Sequence, residues 1–254
     1  MSGVLHVSRP SGGVVLIEID NPPANALGGA IRERLEGALD EIDADLAVRV
    51  VVLTGRGKGF CAGDDLREAI SRGEGTLSSL AQFGRLLDKI ERLRVPVIAA
   101  VNDHAIGGGL ELALVCDIRI ADEKATFLGA GVNVGLMAST YRLPRLIGIG
   151  PAKAMLLTGM KVDAATALSY GLVTAVHPAD RLRDEALKLA ARIASRAPLS
   201  IEASKRMIDQ AFDLTPDAAA IASGEELRVL AASNDHKAGV LAFVTRQEPH
   251  FTRS

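Results

Sequence analysis

A short apolar run that breaks through three glycines into a small-residue helix narrows the folds open to this chain more than any other stretch. It is Val97–Cys116, VIAAVNDHAIGGGLELALVC. Val97–Val101 reads as a fully buried strand, Asn102-Asp103-His104 as a turn, and Leu110–Val115 as a helix closed by Cys116-Asp117. Gly107, Gly108 and Gly109 between them let the backbone approach a neighbour closely. They also place unsatisfied peptide N–H groups at the positive end of the helix, where developing negative charge is stabilised. Glu111 falls in the first turn of that helix, a carboxylate beside an anion site. Taken alone, a glycine triplet before a helix is as readily a packing turn. No Gly-Lys-Ser/Thr follows it, so it is not a P-loop, and its glycine spacing is not that of a dinucleotide fingerprint.

The chain has 254 residues, 48% of them hydrophobic, which is ample for one sizeable core with an appendage. A formal net charge of −2 with scattered lysines and arginines gives no footprint for nucleic acid, and the absence of Trp leaves no stacking platform. Cys61 and Cys116 are the only cysteines and share no CxxC spacing, so no zinc site is expected and a reducing compartment is. No segment has the pattern of a signal peptide or a membrane span, and the expectation is a cytoplasmic protein with no membrane partner.

Along the chain, Val4–Val7 and Val14–Ile19 read as strands joined through Pro10-Ser11-Gly12-Gly13. Ile31, Leu35, Leu39 and Ile42 recur at helical spacing, and Val48–Thr54 is a continuous apolar run suited to a sheet covered on both faces. Gly55–Asp65, GRGKGFCAGDD, is a second glycine-rich turn, followed by helices over Leu66–Arg72 and Leu77–Leu93. Asp117–Ala121 is a strand and Gly129–Leu136, GAGVNVGL, a third glycine-rich loop. Helices are expected over Ser139–Ile147, Pro151–Thr158 and Asp163–Tyr170, with a last strand at Leu172–Val176. Everything after Ala179 reads as helix: Arg181–Arg196, Leu199–Phe212, Pro216–Ala232 and Asp235–Val244. Strands alternating with helices define an α/β class, and Pro198 suggests a boundary between residues 1–196 and a helical region, 197–254.

Asn25-Ala26-Leu27, then Gly57–Leu66 (GKGFCAGDDL), then Ala105–Ala121 (AIGGGLELALVCDIRIA), with Gly171-Leu172-Val173 and the closing Phe243–Phe251 segment, resemble the crotonase or enoyl-CoA hydratase/isomerase superfamily over essentially the whole chain. The resemblance implies a crotonase-like spiral of ββα units with a C-terminal helical trimerisation region, assembled as a homotrimer or hexamer. It implies an acyl-CoA thioester substrate, lyase or isomerase chemistry in fatty acid metabolism, and no separate cofactor, since coenzyme A belongs to the substrate. Two backbone N–H groups, mapping onto Asp64 and Gly108, hold the thioester oxygen and stabilise an enolate. Donors of that kind are worth about 3–4 kcal/mol each. Glu111 matches the first of the two hydratase glutamates. Substrate contacts map onto Ala24, Ala26, Ala62, Asp64, Asp65, Leu66, Ile106, Gly108, Ala130 and Gly131, and no metal is implied. Asp65 has a simpler task as well, the N-cap of the helix from Leu66.

The chain departs from the family at named positions. The second glutamate normally follows a proline in the third loop, and that pair is here Ala130-Gly131. Asp64 brings an anion to a place where the family often has Ala, and Asn102-Asp103 replaces Asn-Gly. Asn133 and Tyr141, near the third loop, are candidates to replace the lost carboxylate. Lys58 and Arg246 are candidate phosphate contacts, and His104 is expected to be a structural, hydrogen-bonded histidine. Two readings follow: an enoyl-CoA hydratase/isomerase-type enzyme with Glu111 as acid/base, or a non-catalytic acyl-CoA-binding relative. On the first, Gly131→Glu is expected to raise hydration at least about tenfold by restoring the partner of Glu111.

Overall fold

The computed structural model describes residues 3–254 and is α/β throughout. Its main sheet has six strands: β1 (Val4–Ser11), β2 (Val14–Asp20), β3 (Val50–Gly55), β4 (Val97–Val101), β6 (Ile118–Asp122) and β9 (Ala175–His177), adjacent in that order. Only β1 and β2 pair antiparallel, through a hairpin turn at Gly12-Gly13, where Gly13 holds φ 76°. The remaining pairs are parallel, each reached by a crossover. A second, three-stranded sheet joins β5 (His104–Ile106), β7 (Thr126–Leu128) and β8 (Lys161–Asp163).

The period-2 alternation of the central strands explains their continuous apolar sequence. Val15, Ile17, Val51, Leu53, Val97, Ala99 and Val101 face one layer, built on α1 (Gly29–Ala44), α3 (Thr76–Glu91) and α4 (Gly108–Leu114). Val14, Leu16, Val50, Val52, Ile98 and Ala100 face the other, covered by Leu182, Ala186 and Ala190 of α8 (Leu182–Ala194). With apolar cover on both sides, neither face admits a polar residue cheaply.

Local chemistry sets the element ends. Asp65 caps α2 (Leu66–Arg72), its Oδ1 accepting from Arg67 N at 2.9 Å, as the sequence led us to expect. A 3-10 turn, Gly73–Gly75, separates α2 from α3. The helix expected from Ser139 begins instead at Arg142, as α5 (Arg142–Ile147), and α6 (Ile149–Thr158) follows. Ser139 is left in a left-handed conformation, φ 59°, which a helix interior cannot contain. The strand expected at Leu172–Val176 starts only at Ala175, because Gly171 (φ 76°) and the bond from Leu172 N to Ala167 O close off α7 (Ala164–Ser169).

Beyond α8, α9 (Pro198–Asp209) is tied to the core by buried ions. Lys205 Nζ lies 2.7 Å from Asp117 Oδ1, and Glu202 bridges Arg94 at 2.7 Å and Arg253 at 2.8 Å. By contrast α10 (Pro216–Ala232) buries no residue, and α11 (Asn234–Thr245) buries only Asp235 and Ala242. None of the described helices is long and apolar enough to cross a membrane.

Candidate active site

The two glycine-rich turns meet above the ends of β3 and β4, stitched by two asparagines. Asn25, buried with φ 55°, donates to Gly59 O at 2.6 Å and Arg56 O at 3.0 Å, tying the first loop to the second turn. Asn102 accepts from Gly55 N at 3.1 Å and donates to Gly57 O at 3.2 Å. Asp103 takes φ 57°, which an aspartate tolerates, and the Asn-Asp pair turns the chain as an Asn-Gly would.

Where the turns cross, main chain lies directly on main chain. A β-carbon at Gly109 would sit 2.0 Å from Cys61 O, and one at Gly63 would sit 2.7 Å from both Gly108 N and Ile106 O. A β-carbon at Gly108 would sit 3.1 Å from the Phe83 ring and 3.3 Å from Gly63 Cα. Glycine is required at 63 and 109, and Gly108 packs directly against the Phe83 ring.

The peptide orientations follow from their carbonyls. Gly63 O accepts from Leu27 N at 2.7 Å, and in a planar trans peptide the Asp64 N–H points the opposite way, away from Leu27. Gly107 O accepts from Glu111 N at 3.1 Å, so the Gly108 N–H points outward from the start of α4, where the helix supplies no acceptor. The Asp64 side chain turns to Arg32, with Oδ1 2.5 Å from Nη2. Arg32 is buried, donates to Leu27 O at 2.8 Å, and lies 4.7 Å from the Phe83 ring centre. The anion introduced at position 64 is therefore matched by a fixed guanidinium.

Glu111 projects from the first turn of α4, its side chain only 12% exposed. Ser139 Oγ donates to its Oε1 at 2.6 Å, and Arg142 Nη1 stands 3.9 Å from its Oε2. Arg142 is itself held by Glu91 at 2.7 Å and Asp88 at 2.8 Å. Burial alone would push that guanidinium down, but its bonds to Glu91 and Asp88 hold it above its ordinary value.

The third loop corrects the sequence reading at several positions. Gly131 opens a 3-10 turn, Gly131–Val134, and a β-carbon there would lie 2.9 Å from Leu136 O and 3.0 Å from Ala138 N. A glutamate at 131 would have to displace the segment that carries Ser139 to Glu111, so the gain expected from Gly131→Glu is withdrawn. Asn133 is directed elsewhere, donating to Gly159 O at 3.2 Å. Tyr141 is exposed, with Arg145 4.8 Å from its ring centre. The side chain that bonds Glu111 is Ser139, which in the sequence reads as the start of a helix.

The other predicted residues sort into two groups. Ala62 N donates to Ala24 O at 3.0 Å, which sets the loop of Ala24 against the chain next to Gly63, and Asn21 Nδ2 donates to Ala26 O at 2.7 Å. Ile106 N bonds Cys61 O at 3.0 Å, Leu66 is exposed at the rim, and Ala130 lies within 3.6 Å of a β-carbon built on Gly107. Lys58 lines a separate cavity of about 510 Å³ with Arg56, Asp122, Lys124 and Arg183. Arg246 ends α11 with φ 55°. His104 is not the satisfied histidine expected. Its ring packs on Gly59, and its buried Nε2 has no hydrogen-bond partner among the described residues. Burial pushes both Cys61 and Cys116 up to about 12, which leaves them protonated thiols rather than nucleophiles. No cluster of metal-ligating side chains occurs among the described residues.

Residues 9–254 match the family model for enoyl-CoA hydratase/isomerase, and the chain belongs to that family. It is 36% identical over 247 residues to a mitochondrial enoyl-CoA hydratase of Pongo abelii, covering 94% of this chain and 83% of the relative. It is 34% identical over 243 residues to the 2,3-dehydroadipyl-CoA hydratase of Escherichia coli, covering 94% of each. The crystal structure of an enoyl-CoA hydratase from Bacillus anthracis superposes with a TM-score of 0.95 at 33% identity, over 98% of this chain and 99% of that one. The fold is thus the crotonase fold with its C-terminal helical region.

Proposed function

We propose that the chain acts on acyl-CoA thioesters through an enolate, with the thioester oxygen held by the peptide N–H groups of Asp64 and Gly108 and with Glu111 as its acid/base. The observation that carries this reading is the placement of a partly buried, hydrogen-bonded carboxylate one helical turn from the amide at Gly108, beside the crossing of the two glycine turns. In hydration of a 2-enoyl thioester, water gives a proton to Glu111 as its oxygen attacks C3. The C2=C3 electrons move onto the thioester oxygen, and the enolate then takes the proton from Glu111 at C2. Amides aimed at that oxygen, beside the apolar ring of Phe83, stabilise the charge where it develops. Coenzyme A enters as part of the substrate, with contacts to Ala24, Ala26 and Ala62, and no other cofactor is required. The enzymatic reading is preferred to simple binding because a binder has no use for a carboxylate held by a serine and faced by an arginine.

Position 131 offers no carboxylate, so Glu111 alone carries the proton in this proposal, and simple hydration is expected to be slow. The test measures loss of enoyl absorbance with crotonyl-CoA and hydrogen–deuterium exchange at C2 of butyryl-CoA. Wild-type protein is expected to catalyse at least the exchange, and Glu111→Gln to lower both by about 10²–10⁴-fold. Turnover that survives Glu111→Gln would show that the base lies elsewhere.

The same proposal includes assembly as a homotrimer or hexamer. Phe243 is 88% exposed, Ile221 67% and Leu241 65%, on two helices that bury almost nothing in the single chain. Light scattering at micromolar concentration is expected to give three or six times the 26.6 kDa chain mass, and a monomer or dimer mass would overturn it.

A further inference from the structure

We infer that Ser139 is a positioning residue for Glu111, the group that fixes the carboxylate in place of a second acidic side chain. The inference rests on the reading of Glu111 as acid/base. Ser139 is buried and holds φ 59°, a left-handed backbone conformation that a serine adopts only at a cost and that glycine takes freely. A chain selected for stability alone would place glycine here, as it does at Gly135 (φ 72°) and Gly148 (φ 81°) on either side. What serine adds is one hydroxyl, and that hydroxyl donates to Glu111 Oε1 at 2.6 Å. Strain at a non-glycine residue that is returned in a single contact with a candidate acid/base is evidence of a role.

The placement is specific to this loop. Leu136–Ala138 lie against Gly131, where the family's second carboxylate would project, and the chain then delivers Ser139 to Glu111. Ser139 O accepts from Leu143 N at 3.2 Å, which fixes the serine to the start of α5. From the same short segment Arg142 Nη1 faces the other carboxylate oxygen at 3.9 Å. Glu111 is thus oriented from one side by 139–142, with Oε1 bonded, and its remaining lone pairs are left for the substrate's proton. A serine hydroxyl carries no charge and does not ionise in the working pH range, so it holds the carboxylate without acting as a second acid.

The experiment compares wild type, Ser139→Gly and Ser139→Ala. Glycine removes the hydroxyl and relieves the backbone, while alanine removes the hydroxyl and keeps the backbone cost. We expect both variants to lose kcat for butyryl-CoA exchange by about 10–100-fold, the scale for a misplaced reacting group, with KM within about twofold. Ser139→Gly is expected to melt at or above the wild-type temperature, and a crystal structure of it to show the Glu111 carboxylate rotated from its wild-type position. A merely structural serine would instead leave kcat unchanged in the glycine variant. Unchanged kcat there, or a Glu111 carboxylate that keeps its place without Ser139, overturns the inference. A wild-type protein with neither exchange nor hydration would fail the acid/base reading instead, and the crystal comparison would still decide whether Ser139 positions Glu111.

Discussion

Around Gly63, Gly108 and Gly109 the site is made of main chain resting on main chain, while around Gly131 and Ser139 it is made of side chains reaching across a surface loop. At the first, a β-carbon on Gly109 would sit 2.0 Å from the buried Cys61 carbonyl oxygen, and Asn25 and Asn102 both hold the turn that carries Gly63. At the second, residues 132–137 are exposed, and the contacts that hold the loop are Asn133 to Gly159 and Ser139 to Glu111. At Gly63 and Gly109 the first region cannot gain a side chain without moving backbone. The second has more room to adjust, and it holds Gly131, the position where the resemblance leads one to expect a carboxylate. A rigid crossing that carries the two proposed amides, with an adjustable neighbour for the proposed acid/base, fits the general rule that one fold serves several chemistries by varying its loops.

The largest expected effect strikes the rigid half. Gly109→Ala places a methyl group into Cys61 O with no exit, since both residues are buried. The cost should reach or exceed the upper end of overpacking, about 3 kcal/mol. For a chain of this size that lowers the melting temperature by roughly 6–12 °C. A calorimetric scan showing a loss under about 2 °C would mean that the crossing yields, and the contrast with the third loop would break.

Gly108→Ala sharpens the comparison one step down. Its β-carbon meets the Phe83 ring at 3.1 Å and Gly63 Cα at 3.3 Å, and a ring can tilt where a carbonyl cannot. Stability should fall by no more than about 1–2 kcal/mol. Butyryl-CoA exchange should fall further, about tenfold or more, because the methyl group and the tilted Phe83 crowd the thioester beside the proposed amide. An equal loss in both quantities, read from melting and steady-state kinetics, would remove Gly108 from the site.

Gly131→Ala tests the adjustable half. A β-carbon there presses on Leu136 O and Ala138 N at 2.9 and 3.0 Å, but the segment is exposed and can shift. We expect about 1 kcal/mol or less in stability and a several-fold loss of exchange, because movement of Ala138 carries Ser139 with it. Unaltered kinetics would uncouple the loop from Glu111.

What was legible in the sequence follows the same division. Close backbone approach leaves a compositional mark, so the glycine-rich turn that contains Gly63, the triplet Gly107–Gly109 and the Asp65 cap could be read from their order and spacing, whereas Asn25 stands out only through the family resemblance. The central strands could be read from apolar runs that need cover on both faces. The second sheet could not, because three strands of three residues carry no measurable periodicity. Nor could Ser139, whose partner is 28 residues away and whose backbone angle no local pattern announces. Its neighbours Tyr141 and Asn133 drew attention for their chemistry, although the loop turns one toward Arg145 and the other toward Gly159.

The smallest expected effect concerns that second contact. Asn133 Nδ2 donates to Gly159 O at 3.2 Å on an exposed surface, and Gly159 holds φ 59° close against the asparagine. Asn133→Ala removes one hydrogen bond whose acceptor water can reach, so the loss should be about 0.5 kcal/mol, roughly 1–2 °C in melting temperature. Exchange should stay within about twofold, because Ser139 is anchored separately through Leu143 and Glu111 rather than through Asn133. If Asn133→Ala instead abolished exchange while the protein still melted near the wild-type temperature, Asn133 would be acting in the chemistry and the loop would have two working side chains. A stability loss of several kcal/mol would say something different: that the third loop is as rigidly determined as the glycine crossing.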